Sequence, residues 1–294
     1  MTTYDAGTRS VKSAERILDL LEYIGGQPNG VTFKVLSKDL HIPKSSLHGL
    51  LDVLVTRGYA ELRPISRTYV LGLRSWETGQ AYQRNHSMVR EARAVLESIV
   101  AKVNETAQLA TLVGTENVYL AKVDSTHPLR LISDVGRRLS AHATGVGKAL
   151  LAHLPDAEVK ARFGTGALEC YTANTMPTVD ALIEELAISR VRGFAIDNEE
   201  YTPGVFCLSV PVFDGDGAAS SAMSVSVPTS RADQVGMVDI LSQLCAASLA
   251  LSRRCGVTTV DRMLAELTQQ EMAKAAIDLL IGSGRYVLHW SGRP

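Results

Sequence analysis

The chain is poor in the residues that build covalent or metal-held frameworks. Its four cysteines, Cys170, Cys207, Cys245 and Cys255, are widely spaced, with no C-x-x-C pair. That spacing argues against a zinc ribbon or a disulfide scaffold and suits a reducing cytoplasm. No metal or other cofactor is expected. Aromatic residues make up only 5% of the 294 positions. The first fifteen residues, MTTYDAGTRSVKSAE, contain no apolar core of a secretory signal. No apolar run reads as long enough to span a bilayer, so no membrane partner is expected. A nucleotide loop is missing as well. In SAHATGVGKALLA the pair Gly147-Lys148 matches the end of a P-loop, but His142 stands where its first glycine belongs. Ala149 replaces the hydroxyl that would bind Mg²⁺. ATP and GTP are therefore rejected.

What is present is ordinary for a globular protein: 46% apolar and 21% charged residues, in a chain long enough for two domains. The net charge of −1 is unevenly spread. Residues 1–75 hold 10 Lys/Arg against 7 Asp/Glu, while the remainder holds 20 against 24. A mildly basic head permits nucleic-acid binding without requiring it.

The head has a helical period. Ala14, Ile17, Leu18, Leu21 and Ile24 predict a helix capped by Ser13 and ended by Gly25-Gly26. Thr32 starts a short second helix with Phe33, Leu36 and Leu40 inward. After Pro43, Leu47, Leu50, Leu51 and Leu54 form the inner stripe of a third helix, closed by Gly58. Its other face carries Ser45, His48, Gly49 and Asp52, with Lys44 and Ser46 near its start. Small, polar and basic groups there suit a helix entering the major groove of double-stranded DNA. Residues 59–63 and 68–72 read as a hairpin with Arg63 and Arg67 at its tip, within reach of phosphates or the minor groove. Three helices followed by a hairpin is the winged helix-turn-helix order. The plainer alternative is a small helical domain used for protein contacts. His48 taken alone is a solvated surface residue.

Residues 75–103 read as two helical stretches broken at Arg84-Asn85-His86, the second with Val89, Ala92, Val95, Leu96, Ile99 and Val103 in one stripe. Trp76 and Tyr82 serve either as a dimer contact or as packing on their own domain. Beyond, strand-like segments at 108–113, 117–123, 129–133, 194–197, 205–212 and 218–227 alternate with helices starting near Gly145, Asp156, Thr178 and Thr229 or Ser230. An α+β domain with a mainly antiparallel sheet follows. Ser224 and Ser226 share one face of their strand, and Cys207 and Ser209 share one face of its partner. Turned inward, they line a polar pocket that a ligand completes; turned outward, they simply face water. The Gly145–Lys148 helix start offers unpaired amides to a small anion, or is a plain loop-to-helix turn.

These segments together resemble an IclR-type transcriptional regulator. The resemblance rests on VKSAERILDLLEYI, LSKDLHIPKSSLHGLLDVLVTRGYAE, YVLG, VGRRLSAHATGVGKALLAHLP, RGFAIDNEEYTPGVFCLSVPVFD and SAMSVSVP, in that order over about residues 11–255. It implies an α+β chain: a winged helix-turn-helix at 11–73, linker helices at 74–103 and a GAF-like effector-binding domain at 104–255. It also implies a homodimer or homotetramer that reads operator DNA, and a small-molecule effector that is an organic acid or aromatic catabolite. The family's effector site maps onto Gly145 and Val146 for the ligand carboxylate, with Asp197, Cys207, Ser224 and Ser226, and with Leu139 and Ala143 as apolar wall. An enzymatic set of Cys207, Asp197 and His142 finds no support in their spacing. Residues 256–294 run past the usual end of the family. A helix is expected over 261–281, and no role follows from the resemblance.

Overall fold

The computed structural model describes residues 11–128 and 134–290. The strand expected at 129–133 lies outside the described residues. Internal contacts divide the chain after His86 into two units.

The first unit opens with α1 (Lys12–Gly25), β1 (Val31–Thr32), α2 (Phe33–Asp39) and α3 (Lys44–Thr56). The hairpin β2 (Ala60–Arg63) and β3 (Thr68–Leu71) follows, then α4 (Leu73–Asn85). The strands form a small antiparallel sheet in the order β1-β3-β2, with Leu62 opposite Tyr69. Strand β1 was not expected from its two residues; its pairing to β3 is a tertiary effect. The core joins Leu20, Ile24, Leu36, Ile42, Leu47, Leu51 and Leu54. The third-helix stripe is therefore as expected, with Leu50 only half-buried. In α1 the inward face is rotated from the expected one. Leu20 is buried, whereas Ala14 and Leu18 face solvent, and no side chain caps the helix. Gly72 lets two backbones pass in contact, because a Cβ there would collide with the Gly58 carbonyl. Helix α4 has no buried residue.

The second unit opens with α5 (Ser87–Val103), β4 (Thr106–Val113), β5 (Glu116–Val123) and β6 (Arg138–Ser140). A 3₁₀ turn (Ala141–Ala143) leads into α6 (Gly145–Leu151), α7 (Asp156–Phe163) and α8 (Val179–Arg192). Then come β7 (Ala195–Asn198), β8 (Val205–Phe213), β9 (Ala219–Pro228) and α9 (Gln234–Arg254). Two further helices close the chain, α10 (Arg262–Leu267) and α11 (Gln270–Gly282). The six strands form one antiparallel sheet in the order β6-β5-β4-β9-β8-β7. Local chemistry places several ends as expected. The Thr178 hydroxyl accepts the Ala181 N–H at 3.2 Å, and Gly193 ends α8 with a left-handed φ of 80°. Helix α9, however, is capped by Asp233, whose side chain accepts the Gly236 N–H, and not by Thr229 or Ser230.

Strand alternation gives the sheet two unlike faces. Phe206, Leu208, Val210 and Val212 of β8, with Met223, Val225 and Val227 of β9, enter the main core beneath α5 and α9. The opposite residues turn toward α6. Helix α9 is long and apolar enough to cross a membrane, contrary to the sequence expectation that no run reaches that length, but most of the relevant stretch is buried inside this domain. It serves as the core helix of the domain. The single helix expected at 261–281 is two helices, interrupted at Thr268-Gln269. Leu264, Leu267, Ala273, Ile277, Leu280, Leu288 and Trp290 all belong to the main core.

Candidate functional site

The outer face of α3 carries the residues expected to meet DNA. Lys44, Ser45, Ser46 and His48 are exposed, and Leu47 and Leu51 anchor the opposite side. His48 is not isolated: its ring lies 5.3 Å from that of Phe33, and Nδ1 is 3.9 Å from the Asp52 carboxylate. Arg63 and Arg67 flank the hairpin turn, where the Arg67 N–H donates to the Arg63 carbonyl at 2.9 Å. Arg67 holds a left-handed φ of 52°, and Ile65 at the tip is fully exposed. Helix face and hairpin tip present the exposed Lys44, Ser45, Ser46, Arg63 and Arg67, with Asp52 and Glu61 as exposed carboxylates on the same elements.

The second candidate site is the α6 side of the large sheet. Asp197, Cys207 and Ser226 are successive partners across β7, β8 and β9, and Ser209 pairs with Ser224 in the neighbouring row. Ser224 lies opposite Gln108, and Ser226 opposite Thr106, on β4. All seven side chains are buried. The inward orientation of the serine face is thus the one adopted. Cys207 Sγ and Ser226 Oγ are 3.1 Å apart, and Ser224 Oγ lies 3.4 Å from Gln108 Oε1. Burial pushes the Cys207 thiol well above its ordinary value, with Asp197 adding to the effect. Such a thiol is a weak nucleophile.

Helix α6 closes this face. Gly145 stands over Ser209 so closely that a Cβ would strike its hydroxyl, and a Cβ on Gly147 would strike the Ala141 backbone. The two glycines of G-x-G are thus demanded by close packing. The Thr144 hydroxyl donates to Asn117 Oδ1 at 2.7 Å and does not cap α6. The first-turn amides of α6 therefore have neither a helical acceptor nor a side-chain cap. Val146 packs with Ala149, Leu150, Tyr119 and Ala195, and Leu139 borders that cluster. Ala143 is fully buried in the turn that feeds α6. The eight residues expected to form an effector site are therefore collected around α6 and the polar strands.

Sequence reasoning missed the charges beneath them. Lys148 is fully buried and paired to Glu200, itself buried in the turn after β7. The DNEE segment held the signal, but nothing local tells that its last glutamate reaches back to Lys148. Asp197 Oδ1 accepts the Glu200 N–H at 2.7 Å. Burial, then the Glu200 charge, raises the Asp197 carboxyl to about 8, against the opposing pull of Lys148 and the amides of Glu200 and Tyr201. Asp197 therefore holds its proton more readily than an ordinary carboxylate, and burial pushes Glu200 in the same direction against the pull of Lys148. Four buried polar atoms near this turn and α6 have no hydrogen-bond partner: Asn117 Nδ2, Asn198 Oδ1, Glu200 Oε2 and Ser209 Oγ. Such groups are costly unless something satisfies them. Two surface clefts lie elsewhere. One of about 380 Å³ is lined by apolar groups such as Val191, Met263 and Leu279, and one of about 520 Å³ borders Gly215–Gly217 and Val257–Arg262. Neither is lined by α6 or by the polar residues of the sheet face. Among the described residues no cluster of His, Cys, Asp and Glu fits a metal ion.

Comparison with known proteins places both parts of the chain in one family. Residues 13–64 match the IclR helix-turn-helix domain, and residues 80–253 match the bacterial transcriptional regulator IclR C-terminal domain. The chain is similar to the HTH-type transcriptional regulator XynR of Escherichia coli K12, with 34% identity over 84% of this chain and 98% of that one. Among solved structures, the Thermotoga maritima IclR matches with a TM-score of 0.68 at 26% identity, covering 83% of this chain and 99% of that one. An IclR homologue from Microbacterium hydrocarbonoxydans, solved in complex with 4-hydroxybenzoate, shares the fold with a TM-score of 0.72 at 22% identity, over 83% and 98% of the two chains. A three-helix head with an exposed basic and hydroxyl face, an α+β domain and matches to both family domains lead to one assignment: the chain belongs to the IclR family of DNA-binding transcriptional regulators.

Proposed function

We propose that this regulator is switched by a small organic acid or aromatic catabolite bound between α6 and the polar face of the sheet, acting as a homodimer or homotetramer in the cytoplasm. The observation that carries the reading is the set of buried, unpaired polar atoms beside a sheet face built from Asp197, Cys207, Ser209, Ser224 and Ser226. A carboxylate would meet the amides of Gly145 and Val146, with Asn117 Nδ2 and the Ser209 hydroxyl as further donors. Ser224, Ser226 and Cys207 would face its body, and Leu139 and Ala143 would form the wall. Burial raises the Asp197 carboxyl, which lessens its repulsion of an anion and favours an O–H offered to a ligand oxygen. The 4-hydroxybenzoate bound by the Microbacterium homologue belongs to the same chemical class.

Lys44, Ser45, Ser46 and His48 would then read base edges, while Arg63 and Arg67 hold the backbone or the minor groove. Helix α4 leaves Leu73 and Trp76 exposed, and α1 leaves Leu18 exposed. A second copy covering them would set two recognition helices on a two-fold operator. The effector shifts DNA affinity only through a difference in its own affinity for the two arrangements. The deciding experiment is a thermal-shift screen of hydroxy, keto and aromatic acids, because a ligand of the native state alone raises its melting temperature. A hit must lose its effect in Ser224→Ala/Ser226→Ala. A screen without a hit, or a hit indifferent to that change, refutes the reading.

A further inference from the structure

The chain continues past the family's domain, whose match ends at residue 253. After α11 it runs back across the sheet edge to the turn that carries Glu200. The Asn198 side-chain amide donates to the Val287 carbonyl at 3.1 Å. His289 Nδ1 lies 2.7 Å from Glu199 Oε1; a carboxylate only accepts, so the ring carries the proton there. Trp290 is buried with its ring edge-on to Phe206, at 5.1 Å and 81°, one residue before Cys207. Tyr286 anchors the segment on α8, donating to Glu185 Oε2 at 2.8 Å and accepting from Arg192 at 3.0 Å.

The turn so held is under strain. Glu199 adopts a left-handed φ of 58°, a conformation that persists only where surroundings over-determine it. The opposite side of the turn is held by the loop before α8. Thr172 Oγ1 donates to the Glu199 carbonyl at 2.7 Å, Thr175 Oγ1 to the Glu200 carbonyl at 2.6 Å, and Asn174 Nδ2 to the Asn198 carbonyl at 2.9 Å. The turn is clasped between an internal loop and the C-terminal segment. Its position decides where Glu200 meets Lys148 and where Asp197 receives its amide.

We propose that residues 286–290 are a built-in brace of the sensing site, positioning the Asn198–Glu200 turn so that this chain's effector response depends on a segment outside the family's domain. The inference rests on reading the polar sheet face as the sensing site. His289, Val287 and Trp290 are positioning groups that act through Glu199, Asn198 and Phe206.

Hydrogen exchange of the Glu200 and Tyr201 amides in the full chain tests the brace without any effector. In His289→Leu these amides are expected to exchange roughly threefold faster, the scale of a partly exposed charge-assisted contact. His289→Asn keeps an N–H at the place of Nδ1 and is expected to restore the rate. A chain ending at Gly284 is expected to lose more than about tenfold of the protection at these two amides while α5 and α9 amides keep theirs. Unchanged exchange in His289→Leu, or failure of Asn to restore it, overturns the brace even if the shortened chain does not fold. The two readings separate cleanly. A positive exchange result with an empty acid screen removes the sensing site and leaves the turn braced. An acid hit with indifferent exchange removes the brace alone.

Discussion

Lys148 and Glu200, 52 residues apart, form an ion pair from which water is excluded on both sides. Each ion loses its hydration, and each is tolerated only because the other is present. Lys148→Met should therefore lower stability by about 3–5 kcal/mol, the cost of an uncompensated buried carboxylate. Lys148→Met/Glu200→Gln should recover most of that loss. Urea unfolding of the wild type, Lys148→Met, Glu200→Gln and the double variant measures the coupling. A double variant no more stable than Lys148→Met would show that the two charges do not depend on each other.

Asp197 makes stability depend on pH in an unusual direction for a carboxylate. Its pKa rises from 3.8 to about 8 on folding, first through burial and then through Glu200. The folded chain keeps this proton while the unfolded chain releases it. The contribution is complete below about pH 4 and is lost as pH climbs toward 8. Relative to Asp197→Asn, the wild type should lose stability over that window with a slope of up to about 1.4 kcal/mol per pH unit. Urea midpoints at pH 5, 6, 7 and 8 give the difference. A flat difference would mean Asp197 is already ionised in the folded chain.

Gly145 and Ser209 touch so closely that any side chain at 145 must displace the hydroxyl. Gly145→Ala is expected to cost about 1–3 kcal/mol from overpacking. Adding Ser209→Ala should return part of that. Gly147→Ala meets the Ala141 backbone and has no comparable rescue. Thermal melts of these three variants and of Ser209→Ala settle the point; equal losses with and without the Ser209 change would contradict the packing described.

At the wing, Arg67 combines a charge with a left-handed backbone. Arg67→Gly removes the first and keeps the second without strain. Binding to operator and to unrelated DNA should weaken alike, and the slope of log affinity against log salt should fall by about 1. Ser45→Ala should instead change preference among sequences. Fluorescence anisotropy at several salt concentrations separates the two, and an unchanged slope in Arg67→Gly would remove the wing from the DNA contacts.

Local patterns announced much of this architecture. The leucine stripe of α3 has one physical inside, and Thr178 and Gly193 end a helix by chemistry confined to a few residues. The pairing of Cys207 with Ser226 and of Ser209 with Ser224 follows once β8 and β9 form a hairpin. The rotated face of α1 escaped because Leu18 and Leu20 are chemically alike, and only packing against the rest of its unit chooses between them. The cap of α9 escaped because Thr229, Ser230 and Asp233 are all competent, and the true start depends on where β9 ends.

By itself the sequence determined the family, the helix periods, the turns and which side chains share a strand face, since each depends on spacing within a few residues or on motif order. Only tertiary structure decided that the serine face looks inward, because burial depends on whether α6 lies over it. Only tertiary structure paired Lys148 with Glu200, since no short-range rule links charges 52 residues apart. It also turned the unassigned C-terminal extension into core and clasp, because Leu288 and Trp290 find their apolar partners on strands formed long before them in the chain.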